Sequence, residues 1–283
     1  MKPLKDAFAD HSRRWRDFRY VYPVIARRSH GLSIGVNLNP DGACSFDCVY
    51  CSVDRTDARP AIRTVDTAVL EAELRQLAVA HAQLFDEPEF RAVPPEYRRL
   101  NDIAFSGDGE PTAVPVFPEA VRIATDVRRD YSLAHVKIVV ITNACYLARP
   151  AVAGALAVLD QNGGEIWAKL DAGTEEHFRQ INRSAFPLQH VLDNILAAGR
   201  GRPLVLQSMF LRLRGAAPEM SEIAAYVERI RWLLAGGARF SLIQIYTIAR
   251  RTAESFATPL TPDELEQIAA SVRPLGVPVA VFT

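Results

Sequence analysis

Short runs of β-branched and other apolar residues alternate along the chain with longer segments in which apolar residues recur every three or four positions. The short runs have the composition of strands, and the longer segments have the period of amphipathic helices. In the first helical segment, Leu70, Leu74, Leu77 and Leu84 fall on one face. The predicted strands are 32–38, 103–106, 136–142, 166–170, 204–209 and 242–247, with a seventh at 279–282. The predicted helices are 67–85, 117–129, 150–160, 188–198 and 221–234, with a last one that Thr261 can cap.

Strands that alternate with helices in this way are typical of a parallel sheet covered by helices. The strands are almost continuously apolar, as in the segment KIVVIT, which indicates burial on both faces of the sheet. Six strand-helix units are fewer than the eight of a closed barrel. We therefore predict an α/β fold, a partial (β/α)6 TIM-like barrel that is open at one side. Residues 32–283 form the predicted barrel domain, and residues 1–31 form an N-terminal extension.

Composition excludes several classes of protein. The 283 residues include 33 Lys and Arg and 33 Asp and Glu, and 49% are hydrophobic, which argues against a disordered chain or a basic polyanion-binding tail. The N-terminus lacks the apolar stretch of a secretory signal, and no run of about 18 apolar residues is present. The sequence therefore predicts a cytoplasmic protein, in which free thiols are the rule.

Unusual polar residues follow the predicted strands. Because the carboxyl ends of parallel strands lie at one edge of the sheet, the loops that follow them gather the functional groups there. A cysteine cluster follows the first strand, and the segment SGDGEPT follows the second. The residues at the ends of the later strands are Asn143, Lys169, Asp171, Gln207, Gln244 and Tyr246.

The four cysteines are distributed unevenly. Cys44, Cys48 and Cys51 have the spacing C-x3-C-x2-C, so one short loop can place three thiolates around one inorganic centre. Three protein ligands leave one position open, which is characteristic of catalytic rather than structural metal sites. The alternatives are a zinc site completed by Cys145 or a histidine, and an electron carrier in which Cys145 is the fourth ligand.

This loop resembles the signature of the radical S-adenosylmethionine enzymes, in which an aromatic residue precedes the third cysteine, as Tyr50 does here. The resemblance implies one 4Fe-4S cluster held by Cys44, Cys48 and Cys51, with S-adenosylmethionine bound at the fourth iron. It also implies that an external reductant such as flavodoxin or ferredoxin supplies the electron. Reductive cleavage would then give a 5'-deoxyadenosyl radical that abstracts hydrogen from a substrate.

A second segment supports the resemblance, because the family carries a Gly-Gly-Glu type turn against the methionyl amino group. The segment Gly107-Asp108-Gly109-Glu110 matches it except for Asp108. By the same analogy the backbone of Tyr50 contacts adenine, while packing is the alternative role for its ring. Lys169 or Asp171 contacts the ribose or the carboxylate; alternatively, Asp171 caps a helix that begins near Thr174. The residues expected to face the substrate are Asn143, Gln207, Gln244, Tyr246 and Arg250.

A longer pattern is similar to uncharacterised proteins grouped with the wybutosine-synthesis radical enzymes. It comprises RRSHGLSIGVN, GDGEPT, KLDAGTEEHF, the tripeptide INR and IQIYTIAR, and it spans about residues 20 to 255. The tRNA-modifying enzyme of that group has a second cluster. One spare cysteine cannot hold a second cluster, so the sequence argues against the same tRNA reaction. The substrate stays open among a small molecule, a peptide and RNA.

The N-terminal extension is basic. Residues 1–31 contain eight Lys and Arg and three Asp, a net charge of +5, so the rest of the chain carries −5. Cations interleaved with Trp15 and Phe18 suit phosphate contact and base stacking. The alternative is a solvated helix that packs its aromatic rings on the barrel. A zinc-stabilised RNA-binding module and an RNA-modifying radical enzyme are therefore the competing functions, and no membrane partner is expected.

Overall fold

The computed structural model describes residues 13, 15–55 and 64–283. The chain divides into two compact units. In the described part of the chain, eight of the ten strands belong to a mostly parallel sheet, and two form a small antiparallel sheet. The prediction of an α/β fold is confirmed. The first unit contains the described residues up to 44, 64–141 and 150–165, and the second contains 45–55, 142–149 and 166–283.

The first unit contains the strand order β1-β2-β3-β4. Strand β1 is antiparallel to β2, whereas β2, β3 and β4 are parallel to one another. The strands are β1 Val21–Ala26, β2 Gly31–Val36, β3 Leu100–Phe105 and β4 Lys137–Thr142, which ends at the unit boundary. The helices are α1 Thr67–Ala80, α2 Phe117–Asp130 and α3 Pro150–Asp160, and short 3-10 turns occur at Gln83–Asp86, Pro95–Tyr97 and Pro111–Ala113.

The second unit contains four parallel strands and four helices. Its strand order is β5-β6-β8-β10, and β7 pairs with β9 in the small sheet. The strands are β5 Gly164–Lys169, β6 Pro203–Met209, β7 Leu211–Leu213, β8 Arg239–Tyr246, β9 Ala257–Pro259 and β10 Val279–Phe282. The helices are α4 Glu175–Asn182, α5 Leu188–Gly201, α6 Met220–Ala235 and α7 Pro262–Val272, followed by a 3-10 turn at Arg273–Leu275.

Local sequence explains where the helices begin and end. The Asp66 side chain accepts hydrogen bonds from the first-turn amides of α1, whose buried leucines match the predicted face. This helix ends at Ala80 rather than at the predicted residue 85. Just after its end, Nδ1 of His81 lies 2.7 Å from the Ala78 carbonyl oxygen. At α7, Thr261 caps the helix as predicted and forms a capping box with Glu264.

The N-terminal segment differs from the expected helix. Residues 15–20 form turns and bends, and β1 follows within the predicted extension. The Glu73 carboxylate organises this entry, because it accepts hydrogen bonds from the amides of Arg19, Tyr20 and Val21 at 2.7, 2.9 and 3.1 Å. Trp15 packs edge-on against Phe90 with ring centroids 5.8 Å apart. The aromatic packing therefore occurs without a helix, and the boundary at residue 31 stays a prediction.

No helix among the described residues is long and apolar enough to cross a membrane.

Candidate functional site

The cysteine loop, residues 45–55, is held in the second unit by backbone hydrogen bonds to distant segments. The amides of Asp47 and Val49 donate to the carbonyl oxygens of Asn182 and Ile181, at 3.0 and 2.9 Å, at the end of α4. Within the loop, the Cys51 amide donates to the Cys48 carbonyl oxygen at 2.9 Å. A segment without helix or strand is thus fixed by main-chain contacts that do not depend on its side chains.

The cysteines are free thiols. Cys48 and Cys51 lie in the second unit, Cys44 lies in the first unit after β2, and all three are partly exposed. Cys145 is buried, as expected for a small apolar side chain. In the part of the chain that the structure describes, no three His, Cys, Asp or Glu side chains form a group that could hold a metal ion. The cluster ligands therefore stay a prediction.

The two thiols of the second unit differ electrostatically. Burial raises the pKa of Cys48 to about 12, although nearby Lys169 opposes the shift. Burial also acts on Cys51, but the charge and hydrogen bond of Arg55 lower the pKa of that thiol below its ordinary value. A bare Cys48 therefore stays protonated at neutral pH, and a bound cation must replace that proton before the sulfur can act as a ligand. This donor chemistry fits an iron-sulfur cluster.

Asp171 connects the cysteine loop to the sheet. Its carboxylate accepts hydrogen bonds from the Tyr50 hydroxyl, from Asn182 Nδ2 at 2.8 Å and from the Met209 amide at 2.9 Å. Burial and the adjacent Asp171 carboxylate raise the pKa of Tyr50 well above its ordinary value, so the phenol keeps its proton and donates. Thr174, not Asp171, caps α4, because its side chain accepts from the His177 amide. The helix-capping alternative for Asp171 is wrong.

Lys169 lies beside the Tyr50 ring, with Nζ 5.4 Å from the ring centroid. Burial alone would lower the pKa of this lysine, but Tyr246, Cys48 and Asp171 raise it above its ordinary value. The side chain therefore stays a cation. A cation next to the cysteine loop favours anionic groups of a ligand, such as a carboxylate.

Two glutamines continue across the sheet from Lys169. In the parallel pairing, Lys169 is opposite Gln207, and Gln207 is opposite Gln244, so the three side chains share one face. Gln207 Nε2 donates to Gln244 Oε1 at 2.8 Å. Tyr246 lies two residues further along the same face and packs in an apolar cluster with Tyr50. Gln207, Gln244 and Tyr246 are buried, and their predicted role in substrate contact stays a prediction.

The other two predicted substrate residues lie in loops. Asn143 follows β4, and its Nδ2 donates to Ser45 Oγ at 2.8 Å while its Oδ1 accepts from the Cys145 amide at 3.1 Å. Asn143 thus ties the start of the cysteine loop to the segment after β4. Arg250 follows β8 and is partly exposed.

In the first unit, the predicted glycine turn packs directly on the segment that leads to Cys44. A Cβ atom at Gly109 would lie 1.9 Å from the Ala43 carbonyl oxygen, and one at Gly107 would lie 2.3 Å from Asn37 Oδ1. Neither glycine has a positive φ. Close packing, rather than a special turn conformation, therefore favours glycine here: Gly109 lies against backbone, and Gly107 lies against the Asn37 side chain.

The two acidic residues of this turn have different partners. Asp108 accepts from Arg13 at 2.7 Å and from Asn37 Nδ2 at 3.0 Å, so the departure from the Gly-Gly-Glu pattern is stabilised by a cation and an amide. Glu110 is buried, and its carboxylate accepts from the Thr112 amide at 3.1 Å and from the Thr112 hydroxyl. Glu110 thereby caps the following 3-10 turn.

Sequence reasoning assigned no role to Asn182 or Asn37, which contact the cysteine loop and the glycine turn. Both residues occur in the family-like segments, Asn182 in the tripeptide INR and Asn37 at the end of RRSHGLSIGVN. Their occurrence in these segments is the sequence signal that could have identified them as part of the candidate site. Polar residues next to a candidate site hold its ligands in place and affect their chemistry.

Solved structures with the same arrangement of strands and helices have low sequence identity to this chain. SuiB of Streptococcus suis bound to S-adenosylmethionine is 12% identical with a TM-score of 0.60 over 91% of this chain and 52% of SuiB. A radical SAM methyltransferase from Sphaerobacter thermophilus is 14% identical with a TM-score of 0.60 over 93% of this chain and 68% of that one. TYW1 with a bound lysine-pyruvate adduct is 14% identical with a TM-score of 0.57 over 96% of this chain and 81% of TYW1.

The chain has the radical S-adenosylmethionine fold. The predicted partial-barrel fold class is therefore confirmed. Two curated proteins resemble this chain in sequence. The UPF0026 protein MJ1312 of Methanocaldococcus jannaschii is 30% identical over 174 residues, which are 62% of this chain and 46% of the relative. GTPase Obg of Brachyspira hyodysenteriae is 20% identical over 256 residues, 88% of this chain and 32% of the relative.

The chain thus spans less than half the length of the curated relatives it matches. It contains no Gly-Lys dipeptide and so lacks the phosphate-binding loop G-x-x-x-x-G-K-S/T of nucleotide triphosphatases. No protein-family model matches it.

Proposed function

We propose that this protein is a radical S-adenosylmethionine enzyme that uses one 4Fe-4S cluster. The observation that carries the proposal is the C-x3-C-x2-C loop, which follows β2 in a chain with the radical SAM fold. The glycine turn after β3 supports it, because Gly107 and Gly109 let that turn approach the segment before Cys44. When bound and reduced, the cluster would supply the electron that splits the sulfonium of S-adenosylmethionine into methionine and a 5'-deoxyadenosyl radical.

The residues of the chain would hold and orient the reactants. Cys44, Cys48 and Cys51 would ligate the cluster. The Glu110 carboxylate would face the ammonium group of S-adenosylmethionine, and the Lys169 cation would face a carboxylate or the ribose hydroxyls. The Glu110 charge is opposite to that of the ammonium group, and the Lys169 charge is opposite to that of a carboxylate.

Asp171 and Asn143 would position this machinery rather than bind the cofactor. Asp171 already accepts hydrogen bonds from three donors, including the Tyr50 hydroxyl. Asn143 donates to Ser45 at the start of the cysteine loop. The substrate would then be contacted from the Gln207 and Gln244 side of the second unit, with Tyr246 and Arg250 nearby in the chain.

Anaerobic reconstitution with iron and sulfide tests the proposal. The wild-type protein should become brown and should release 5'-deoxyadenosine when supplied with dithionite and S-adenosylmethionine. Cys48→Ala should lose iron and this activity. Cys145→Ala is the matched control, because the buried Cys145 thiol lies outside the C-x3-C-x2-C segment. This variant should keep both the iron and the activity.

Two results would contradict the proposal. A colourless protein that carries stoichiometric zinc would favour the zinc-stabilised module. Loss of the cluster in Cys145→Ala would indicate four protein ligands and therefore an electron carrier. If the cluster forms, deuterium transfer from candidate substrates into 5'-deoxyadenosine identifies the substrate class.

A further inference from the structure

The buried amide of Asn182 contacts a predicted cluster ligand. Asn182 is fully buried at the end of α4. Its Nδ2 lies 2.8 Å from Asp171 Oδ2, 3.4 Å from the Tyr50 hydroxyl oxygen and 3.5 Å from Cys48 Sγ. One of the two amide hydrogens faces the Asp171 carboxylate. The Tyr50 oxygen is hydrogen-bonded to the same Asp171 oxygen and lies beside that hydrogen, so the second amide hydrogen is left for the Cys48 sulfur.

The orientation of this amide is fixed by charge. If the amide were reversed, Oδ1 would face the Asp171 carboxylate, and two acceptors would repel each other. In the observed orientation Oδ1 is buried without a hydrogen-bond partner among the described residues. A buried acceptor without a partner is unfavourable and rare in folded proteins. The arrangement leaves that oxygen unsatisfied while keeping N–H groups directed at Asp171, Tyr50 and Cys48.

The backbone around Asn182 is anchored to neighbouring segments. Its carbonyl oxygen accepts a hydrogen bond from the Asp47 amide at 3.0 Å, so Asn182 contacts the cysteine loop through both its backbone and its side chain. The next residue, Arg183, ends α4 in the left-handed conformation with φ of 46°. The Arg183 guanidinium contacts Asp47 at 3.4 Å and Glu254 at 2.7 Å, which anchors the helix end on both sides.

We infer that Asn182 is a positioning residue that raises the reduction potential of the cluster through an N–H···S hydrogen bond to Cys48. This inference rests on the proposed function, because it requires Cys48 to be a cluster ligand. One-electron reduction adds negative charge to the cluster and its thiolates. A hydrogen bond to a ligating sulfur stabilises that charge, and such bonds are among the factors that set cluster potentials. The residue thus helps to make the cluster reducible by a physiological donor.

The test compares Asn182→Leu with Asn194→Leu in reconstituted protein. Asn194 is a second buried asparagine of the same unit, and its Nδ2 donates to the Cys145 carbonyl oxygen at 2.9 Å, away from the predicted ligands. Midpoint potentials are measured by dye-mediated titration with electron paramagnetic resonance, without S-adenosylmethionine. Asn182→Leu should lower the ratio of reduced to oxidised cluster about ten-fold at a fixed potential, a shift of about 59 mV for one electron. Asn194→Leu should match wild type.

A second, smaller change removes the same hydrogen. Asn182→Ser also lacks the amide N–H that reaches Cys48 Sγ but keeps a polar side chain, so the potential should again become more negative. If Asn182→Leu loses iron or fails to fold, the Asn182→Ser potential decides the question alone. An unchanged or less negative potential in the variant that folds and holds its cluster overturns this inference only. A wild-type protein that binds no iron overturns the proposed function as well.

Discussion

Replacement of Gly109 by alanine should destabilise the first unit and disturb the segment that leads to Cys44. The added Cβ would lie 1.9 Å from the Ala43 carbonyl oxygen and 2.7 Å from Asn39 Cβ. Nonbonded carbon and oxygen atoms normally approach to roughly 3.3 Å, so the backbone of one segment must move by more than an ångström. Overpacking of this kind costs about 1–3 kcal/mol.

A decrease of about 2 kcal/mol in the free energy of unfolding lowers the melting temperature by roughly 4–8 °C in a protein of this size. Circular dichroism of the metal-free protein measures this change during heating and urea unfolding. The matched control is Gly154→Ala, because a Cβ at Gly154 in α3 meets no atom within 4 Å. Alanine at that helical position should stabilise the protein by up to about 1 kcal/mol. The same methyl group should therefore have opposite effects at the two sites.

The displaced segment also carries a predicted cluster ligand. Gly109→Ala should consequently retain less iron after anaerobic reconstitution than Gly154→Ala does. The reasoning is refuted if Gly109→Ala melts at or above the wild-type temperature, because the close approach to Ala43 would then not be a constraint on the folded chain.

Three further substitutions test individual contacts. The Asp171 carboxylate accepts three hydrogen bonds, and Asp171→Asn replaces one of its acceptor oxygens by a donor. This variant should lower the free energy of unfolding, measured in urea, by about 3 kcal/mol. A stability equal to that of the wild type would contradict the role of Asp171 in joining the cysteine loop to the sheet. Glu73→Gln should cost about 2 kcal/mol and speed proteolysis near residue 19, because the carboxylate accepts from three consecutive amides; an unchanged digestion pattern would oppose this. Burial raises the pKa of Asp102 despite its Ser33 hydrogen bond. A raised folded-state pKa favours folding below the unfolded pKa and loses that contribution as pH rises. Asp102→Asn should therefore stabilise the protein at pH 7, with a gain that shrinks toward pH 4; urea midpoints at both pH values measure it, and a pH-independent difference would contradict it.

The sequence predicted the strands that have strong apolar patterns. The six internal strands lie within three residues of their predicted limits, because each is a buried run between polar loops. β3 begins earlier than expected, at Leu100, since Asn101 and Asp102 interrupt the apolar pattern. Their side chains are satisfied by the Ser29 and His30 carbonyl oxygens and by Ser33. Tertiary hydrogen bonds of this kind have no periodicity in the sequence.

β1 was missed for a related reason. It contains Pro23 and follows a strongly charged segment, both of which argue against a strand. The proline is tolerated in this two-stranded pairing, where β1 has only β2 as a partner in the strand order. The three-residue strands β7 and β9 are too short to give a pattern.

The candidate site was predicted as residue types but not as contacts. The spacing of the cysteines and the glycine turn are local features, so a sequence shows them directly. The hydrogen bonds of Asn182 join residues that are 132 and 134 positions apart. Only the fold brings such residues together, so the spacing of residues along the chain does not reveal these contacts.

The anchoring of the cysteine loop has a consequence for protein synthesis. The loop is fastened by segments made much later, at Ile181 and Asn182 and then at Ala253, whose amide donates to the Cys51 carbonyl oxygen at 3.0 Å. At the usual elongation rate of ~5–20 residues per second, about 200 residues separate Cys51 from its last anchor by roughly 10–40 s. During that interval the thiols are outside their folded surroundings and open to oxidation or to scavenging of metal ions. In the proposed enzyme, cluster assembly on this loop would therefore follow translation, and anaerobic expression should increase the fraction of protein that receives a complete cluster.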